Sequence, residues 1–103
     1  MPRMTDAYEW SGRMVLDVEG EEIGEIDAIY RNRSTDEPEW ALVHTGLFGR
    51  RLTFVPLNGA APKGEDVAAT VSSADVKDAP SFEPGEELST EQRTTLQRHY
   101  GLI

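Results

Sequence analysis

Hydrophobic and polar residues alternate along two runs in the middle of the chain. Residues 39–45 have the sequence EWALVHT and residues 51–57 have RLTFVPL, with the segment GLFGR between them. A period of two over both runs, with a short glycine-containing connection, predicts a β-hairpin. This hairpin is the most apolar part of the sequence, so we expect the hydrophobic core to form on it, with Trp40 and Phe54 inside.

Three further segments have the composition of strands, namely 13–18, 23–32 and 66–72. The second is ambiguous, because its isoleucines have helical spacing while residues 26, 28 and 30 also alternate. Isoleucine is enriched in strands, and Gly24 would be costly inside a helix but suits a β-bulge. The segment is therefore predicted to be a strand.

Turn-forming residues separate these segments. Residues 31–38 are polar, and residues 58–65 contain two Gly, a Pro and an Asn, so both are predicted to be loops. Residues 73–80 could carry one helical turn, which would end before Pro80 because proline disfavours helix at the residue that precedes it.

The last segment of the chain has a helical signature. Ser89 and Gln92 have the spacing of a capping box, basic residues fall in the last turn, and a glycine follows. These signals predict a helix over 89–100. Leu96 and Tyr100 share one face of it and could pack on this chain or on a partner, since a short helix needs packing to be stable.

The elements together predict a mostly-β fold, a small barrel or compact sandwich followed by one C-terminal α-helix. We expect a flexible N-terminal arm over 1–11, which Tyr8 and Trp10 could attach to the domain, and the β-domain over 12–80. Residues 81–103 are expected to form an acidic connector and the C-terminal helix.

Composition narrows the possible functions. The chain has 103 residues, no cysteine and a formal net charge of −9. The length suits one domain, and the lack of cysteine excludes disulfides, thiolate catalysis and cysteine-based zinc sites. It also fits a reducing cytoplasm, which is the predicted location. Because the charge repels phosphate backbones and anionic lipids, we expect no nucleic-acid partner.

No membrane insertion is expected either. The longest uninterrupted aliphatic run is Met14-Val15-Leu16, far short of a membrane span, and the first residues contain no apolar stretch of the kind that a signal peptide needs.

Residues 17–22, DVEGEE, place several carboxylates close together. They could form a cation-binding loop or a solvated hairpin turn. The ladder of Asp and Asn residues and the closing Glu of a calcium loop are missing, which favours the turn.

Several short motifs, in this order and spacing, resemble the PRC-barrel family. They are GEEIGEI at 20–26, PEWALV at 38–43, TGLFG at 45–49, FVPL at 54–57 and DAP at 78–80, with LS at 88–89 and HYGL at 99–102 similar to the helical tail of single-domain bacterial members. The resemblance extends over roughly residues 12–103 and implies a PRC-type β-barrel of about five to six short strands with a C-terminal helix.

The resemblance also carries functional implications. The same barrel occurs in the cytoplasmic part of the photosynthetic reaction-centre H subunit and in the C-terminal domain of the ribosome maturation factor. Family members are generally adaptors or interaction domains rather than enzymes. The sequence shows neither a transmembrane helix nor a separate N-terminal barrel, so neither of those specific functions is expected here.

The residues offer no convincing catalytic set. His44 lies in a predicted strand and could be a general base or a metal ligand, but His99 is the only other histidine, and a hydrogen-bonded strand histidine is the simpler interpretation. A Ser-His-Asp triad could be composed from Ser72, His44 and Asp66, but the sequence has no nucleophile elbow that would support such a triad. We therefore predict no enzyme activity, metal or cofactor.

The connection between the two hairpin strands is the best candidate for a site. Leu47 and Phe48 would be exposed at its tip, with Arg50 and Arg51 directly behind, which is the composition of an interface hot spot. The alternative is that both apolar side chains fold back and plug the barrel end.

The leading prediction is a non-enzymatic protein-interaction module that binds partner proteins and forms a homodimer. Its candidate interface contains the tip residues and the helix residues Leu96 and Tyr100. The second prediction, from another class, is a small-molecule or anion-binding barrel that uses Arg50 and Arg51 at its mouth.

Overall fold

The computed structural model describes residues 4–83, 85 and 87–103, and only the backbone of residues 4–6 and 47. Within these residues, a 3-10 helix (Met4–Trp10) precedes six strands and two α-helices. The strands are β1 (Met14–Leu16), β2 (Glu22–Arg31), β3 (Pro38–Thr45), β4 (Arg51–Pro56), β5 (Ala61–Lys63) and β6 (Asp66–Ala68), and the helices are α1 (Ser73–Lys77) and α2 (Thr90–His99).

All six strands belong to one hydrogen-bonded sheet in the order β4-β3-β2-β1-β6-β5. β1 and β6 are parallel, and the other neighbours are antiparallel. The predicted mostly-β fold with a C-terminal helix is confirmed. The sheet is not closed into a barrel, however, because no pairing joins β4 to β5 among the described strands.

The predicted hairpin forms one end of this sheet, with β4 at the edge and β3 paired with both β2 and β4. Successive side chains of a strand point to opposite faces, and here both faces are buried. Trp40 and Leu42 belong to one apolar cluster, whereas Ala41 and Val43 belong to another. We call the first the outer cluster and the second the inner cluster.

The inner cluster gathers side chains from both ends of the sheet and from the N-terminal 3-10 helix. It includes Ala7, Trp10, Val15, Val67 and Val76. Trp10 is only 5 % exposed. Within the predicted arm, residues 4–10 therefore form a 3-10 helix, and Trp10, one of the two residues expected to attach it, anchors it in the core.

The outer cluster joins the hairpin to the C-terminal segment. Leu88 and Leu96 pack there against Tyr30, Trp40 and Phe54. Helix α2 begins at the predicted capping box, in which Ser89 Oγ accepts from the Gln92 N–H at 3.1 Å and Gln92 Oε1 accepts from the Ser89 N–H at 3.0 Å. The predicted helix is confirmed, while residues 84 and 86 of the predicted connector lie outside the described residues.

Strand β2 is predicted correctly from the local sequence, whereas strand β5 is not. The ambiguous segment 23–32 forms β2, and a β-carbon at Gly24 would lie 1.8 Å from the His44 carbonyl oxygen, so only glycine allows β2 and β3 to approach this closely. By contrast, β5 lies within the predicted loop 58–65. Its exposed, proline-containing sequence has no strand signal, and it forms because β6 pairs with it.

Candidate functional site at the hairpin tip

The connection between β3 and β4, which we call the hairpin tip (residues 46–50), carries the most exposed large apolar side chain of the described residues. Phe48 is 82 % exposed, so it does not plug the end of the sheet. The backbone turns sharply here, and Gly46, Phe48 and Gly49 have φ angles of 76°, 59° and 64°. A left-handed conformation costs a residue such as Phe about 1–2 kcal/mol, so its surroundings must hold it there.

His44 provides this support. Its Nδ1 lies 3.2 Å from the Gly49 carbonyl oxygen, and its Nε2 lies 3.0 Å from Asp27 Oδ1. Both neighbouring oxygens are acceptors, so the imidazole donates to them from whichever nitrogen carries a hydrogen. His44 thus ties the tip to strand β2 as a hydrogen-bonded strand histidine.

Catalytic and metal-binding roles find no support in these contacts. Ser72 Oγ is the N-cap of α1 and accepts from the Asp75 N–H at 3.1 Å, whereas His44 contacts Gly49 and Asp27. Within the described part of the chain, no group of three or more His, Asp or Glu residues could hold a metal ion.

The two arginines behind Phe48 have different roles. Arg50 is exposed, and its Cζ lies 5.8 Å from the centroid of the Phe48 ring, within cation–π range. Arg51 instead donates to the carbonyl oxygens of Lys77 and Ala79 at 2.9 and 2.7 Å, and to Ser81 Oγ at 3.1 Å. It therefore binds the carbonyl end of α1, where a cation also complements the helix dipole.

An apolar groove of about 280 Å³ opens beside the tip. Ile23 of β2, Thr45 of β3 and Val76 of α1 line it, together with Gly46 of the tip itself. We call it the tip groove. Because Gly46 belongs to both features, the exposed Phe48 and the groove share one end of the molecule.

The acidic turn before β2 adjoins the tip groove. Asp17 Oδ1 accepts from the N–H groups of Glu19 and Glu21, each at 2.9 Å, and Oδ2 accepts from the Ser73 hydroxyl at 2.7 Å. These hydrogen bonds, that of Ser73 above all, lower the pKa of the Asp17 carboxyl. Asp17 thus ties the turn to α1, which explains its position without a bound cation.

Charge is distributed unevenly around this end of the molecule. The sequence contains no Asp or Glu from Trp40 to Gly64, so Glu39 at the start of β3 is the single one of the 19 acidic residues that lies in the hairpin strands. The tip is therefore basic, whereas the exposed side chains of Glu19, Glu21 and Glu22 make the nearby turn acidic. Apolar, basic and acidic groups meet within one small region.

The other predicted interface residues lie elsewhere. Leu96 is fully buried in the outer cluster, and the Tyr100 hydroxyl donates to the Phe54 carbonyl oxygen at 2.7 Å. Burial raises the pKa of Tyr100. Both residues are used within the chain and present little surface to a partner. The side chain of Leu47 lies outside the described residues.

The tip groove is the part that the sequence does not indicate. Ile23 and Val76 are far apart along the chain and meet only because α1 packs beside the end of β2. The acid-free run around the tip is a signal that could have been found, because it contrasts with the composition of the rest of the chain.

Comparison with known proteins agrees with the predicted family. The PRC-barrel domain family matches residues 2–77, from the N-terminal 3-10 helix to the end of α1, and α2 lies beyond the match. No curated protein matches the chain. None of the described helices is long and apolar enough to cross a membrane. PRC-barrel domains are generally non-catalytic modules for protein interaction. On the extent of the match, this chain belongs to the PRC-barrel domain family.

Proposed function

We propose that this chain is a non-enzymatic interaction protein that contacts other proteins, including a second copy of itself, through the hairpin tip. The observation that carries the proposal is the state of Phe48. Its ring is 82 % exposed, and its backbone is held in an unfavourable conformation by the contact between His44 and Gly49. An exposed aromatic ring beside an arginine is typical of interface hot spots.

The contacts of Arg51 favour this role over an anion site. Three donors of its guanidinium are engaged by Ser81 and by two carbonyl oxygens near the end of α1. Arg50 then remains as the one arginine of the pair that faces outward at the tip. A single exposed cation is a weak anion site, but it suits the polar edge of a protein interface.

The absence of a catalytic role is likewise part of the proposal. The groups weighed for catalysis have structural contacts, since His44 supports the tip and Ser72 caps α1. We accordingly expect no turnover to depend on them.

Affinity capture from the native cell lysate tests the proposal. Tagged wild-type chain is compared with Phe48→Ser and with the matched control Ile103→Ser, which changes another exposed apolar residue, 67 % exposed, outside the tip. We expect Phe48→Ser to reduce recovery of specific proteins about tenfold or more, and Ile103→Ser to leave it unchanged. Equal recovery with Phe48→Ser and wild type would contradict the proposal.

A further inference from the structure

The hairpin tip and the tip groove are complementary features of one molecule. We propose that in a homodimer Phe48 of each copy occupies the tip groove of the other. This inference rests on the proposed function. It identifies the partner as a second copy of the chain and the binding site of the Phe48 ring as the tip groove of that copy. In a two-fold interface each contact occurs twice, which requires that the inserted group and its seat lie close together on each copy. Gly46, which lines the groove, begins the loop that carries Phe48.

The apolar lining of the tip groove suits the binding of an aromatic ring. Ile23 is half-buried beside the inner cluster, and Val76 belongs to that cluster. Burying an aromatic side chain removes about 150–250 Å² from water. Two such rings and their surroundings bury less than a large permanent interface of roughly 2,000 Å² or more. We therefore expect a reversible dimer with a dissociation constant in the micromolar range.

Charge identifies a second copy as a suitable occupant. A chain of net charge −9 repels its own copies unless oppositely charged regions meet. The tip brings exposed Arg50 and no acidic residue, whereas Glu22 lines the groove and Glu19 and Glu21 are exposed on the turn beside it. Arg51 and Lys77 also line the groove, and both oppose this attraction in part. The arrangement predicts that added salt weakens the dimer.

The sheet edges are poorly suited to the alternative dimer, in which strands of two copies pair. On β4, the Phe54 carbonyl oxygen already accepts from Tyr100, and Pro56 has no N–H to donate. On β5, the strand has three residues and contains Pro62. Short edge strands with proline resist edge-to-edge pairing.

Sedimentation equilibrium of the purified full chain is the test. Wild type is expected to dimerise, Phe48→Ser to raise the dissociation constant about tenfold or more, and Ile103→Ser to behave as wild type. Ile23→Glu, which places a charge in the groove and leaves the tip intact, is expected to weaken the dimer to a similar extent. Thermal unfolding of each variant verifies its fold, and Ile23→Ala, with an expected rise of about threefold, replaces Ile23→Glu if the latter unfolds.

Mixing Phe48→Ser with Ile23→Glu tests reciprocal insertion most directly. Phe48→Ser keeps an intact groove and Ile23→Glu keeps an intact tip, so their heterodimer regains one of the two contacts. The mixture should associate more strongly than either variant alone. No gain on mixing, or a groove variant that dimerises like wild type, would overturn reciprocal insertion.

This failure is distinguishable from failure of the proposed function. If the purified wild type is monomeric while capture from the lysate still depends on Phe48, self-association through the tip is wrong and contact of the tip with other proteins stands. If capture is also independent of Phe48, the interaction role of the tip itself is wrong.

Discussion

The hairpin has two apolar surfaces, of which one is covered by the rest of the chain and the other is exposed. On its outer face, Trp40, Leu42 and Phe54 are covered by the chain's own C-terminal segment and are nearly inaccessible to water. At its tip, Phe48 of the same hairpin is left exposed. Hydrophobicity alone does not separate an apolar surface that folding buries from one that stays exposed. The difference is whether the chain supplies a cover, so changes at the covered face should affect stability and changes at the tip should affect association.

Polar contacts at the covered face make the cover specific. Arg93 of α2 donates through two nitrogens to the Glu39 carboxylate, with Nη2 2.8 Å from Oε2, and Asn32 and Trp40 donate to the same carboxylate. These contacts, that of Arg93 above all, lower the pKa of Glu39, and its carboxylate raises the pKa of Arg93. The ion pair fixes the position of the helix on the sheet.

The largest effect is expected from Leu96→Ala. Leu96 is fully buried between α2 and the hairpin, and truncation of a buried leucine costs about 2–5 kcal/mol of unfolding free energy. Urea unfolding followed by circular dichroism measures this loss. Phe48→Ser serves as the comparison, since it changes an exposed side chain, keeps the β-carbon and should change stability by less than about 0.5 kcal/mol. Equal losses in the two variants would remove the distinction between the two surfaces.

The next largest effect is expected from Arg93→Ala. It leaves a half-buried carboxylate without its main partner, and we expect a loss of about 1–3 kcal/mol, toward the lower end because Arg93 is partly exposed. The control Arg98→Ala changes an exposed arginine of the same helix and should be nearly silent.

The same ion pair predicts a pH dependence. The pKa of Glu39 is lower in the folded chain than the ordinary 4.5, so the pair stabilises the fold above that value. This stability is lost as the pH falls through the lowered pKa. Urea unfolding at stepwise lower pH should show a shallower acid loss in Glu39→Gln than in wild type. Parallel acid curves for the two proteins would show that Glu39 does not contribute.

A smaller effect is expected from His44→Ala, which removes the link between the tip and Asp27. We expect a loss of about 0.5–1.5 kcal/mol and weaker association, because Phe48 is no longer held in place. Amide hydrogen exchange at Gly49 should become faster than in wild type. Unchanged exchange would show that the tip keeps its conformation without His44.

The smallest expected effect is a gain rather than a loss of stability. Phe48→Gly relieves a positive φ of 59° and should raise the free energy of unfolding by up to about 1 kcal/mol while it weakens association. Loss of stability in this variant would show that the Phe48 ring contributes to the fold.

The sequence is a good guide where the determinants are local. The capping box of α2 and the alternation of β3 and β4 lie within a few residues, and these elements form as predicted. β5 and the tip groove depend on contacts with distant segments, and no short pattern shows them.

The candidate site divides in the same way. Composition marks the tip as apolar and basic, but it cannot show whether Phe48 folds back, since both outcomes use the same residues. The opposite ambiguity affects Leu96 and Tyr100, because packing on the chain's own sheet and packing on a partner need the same apolar helix face. Only the three-dimensional contacts place these residues inside and Phe48 outside.

The most direct test of the tip as an association surface is sedimentation equilibrium of wild type and Phe48→Ser, both shown to be folded, over micromolar concentrations. We predict a concentration-dependent dimer for wild type and a shift toward monomer for Phe48→Ser, with no loss of thermal stability. Identical association of the two proteins would contradict the assignment of the tip as the surface through which this chain binds itself.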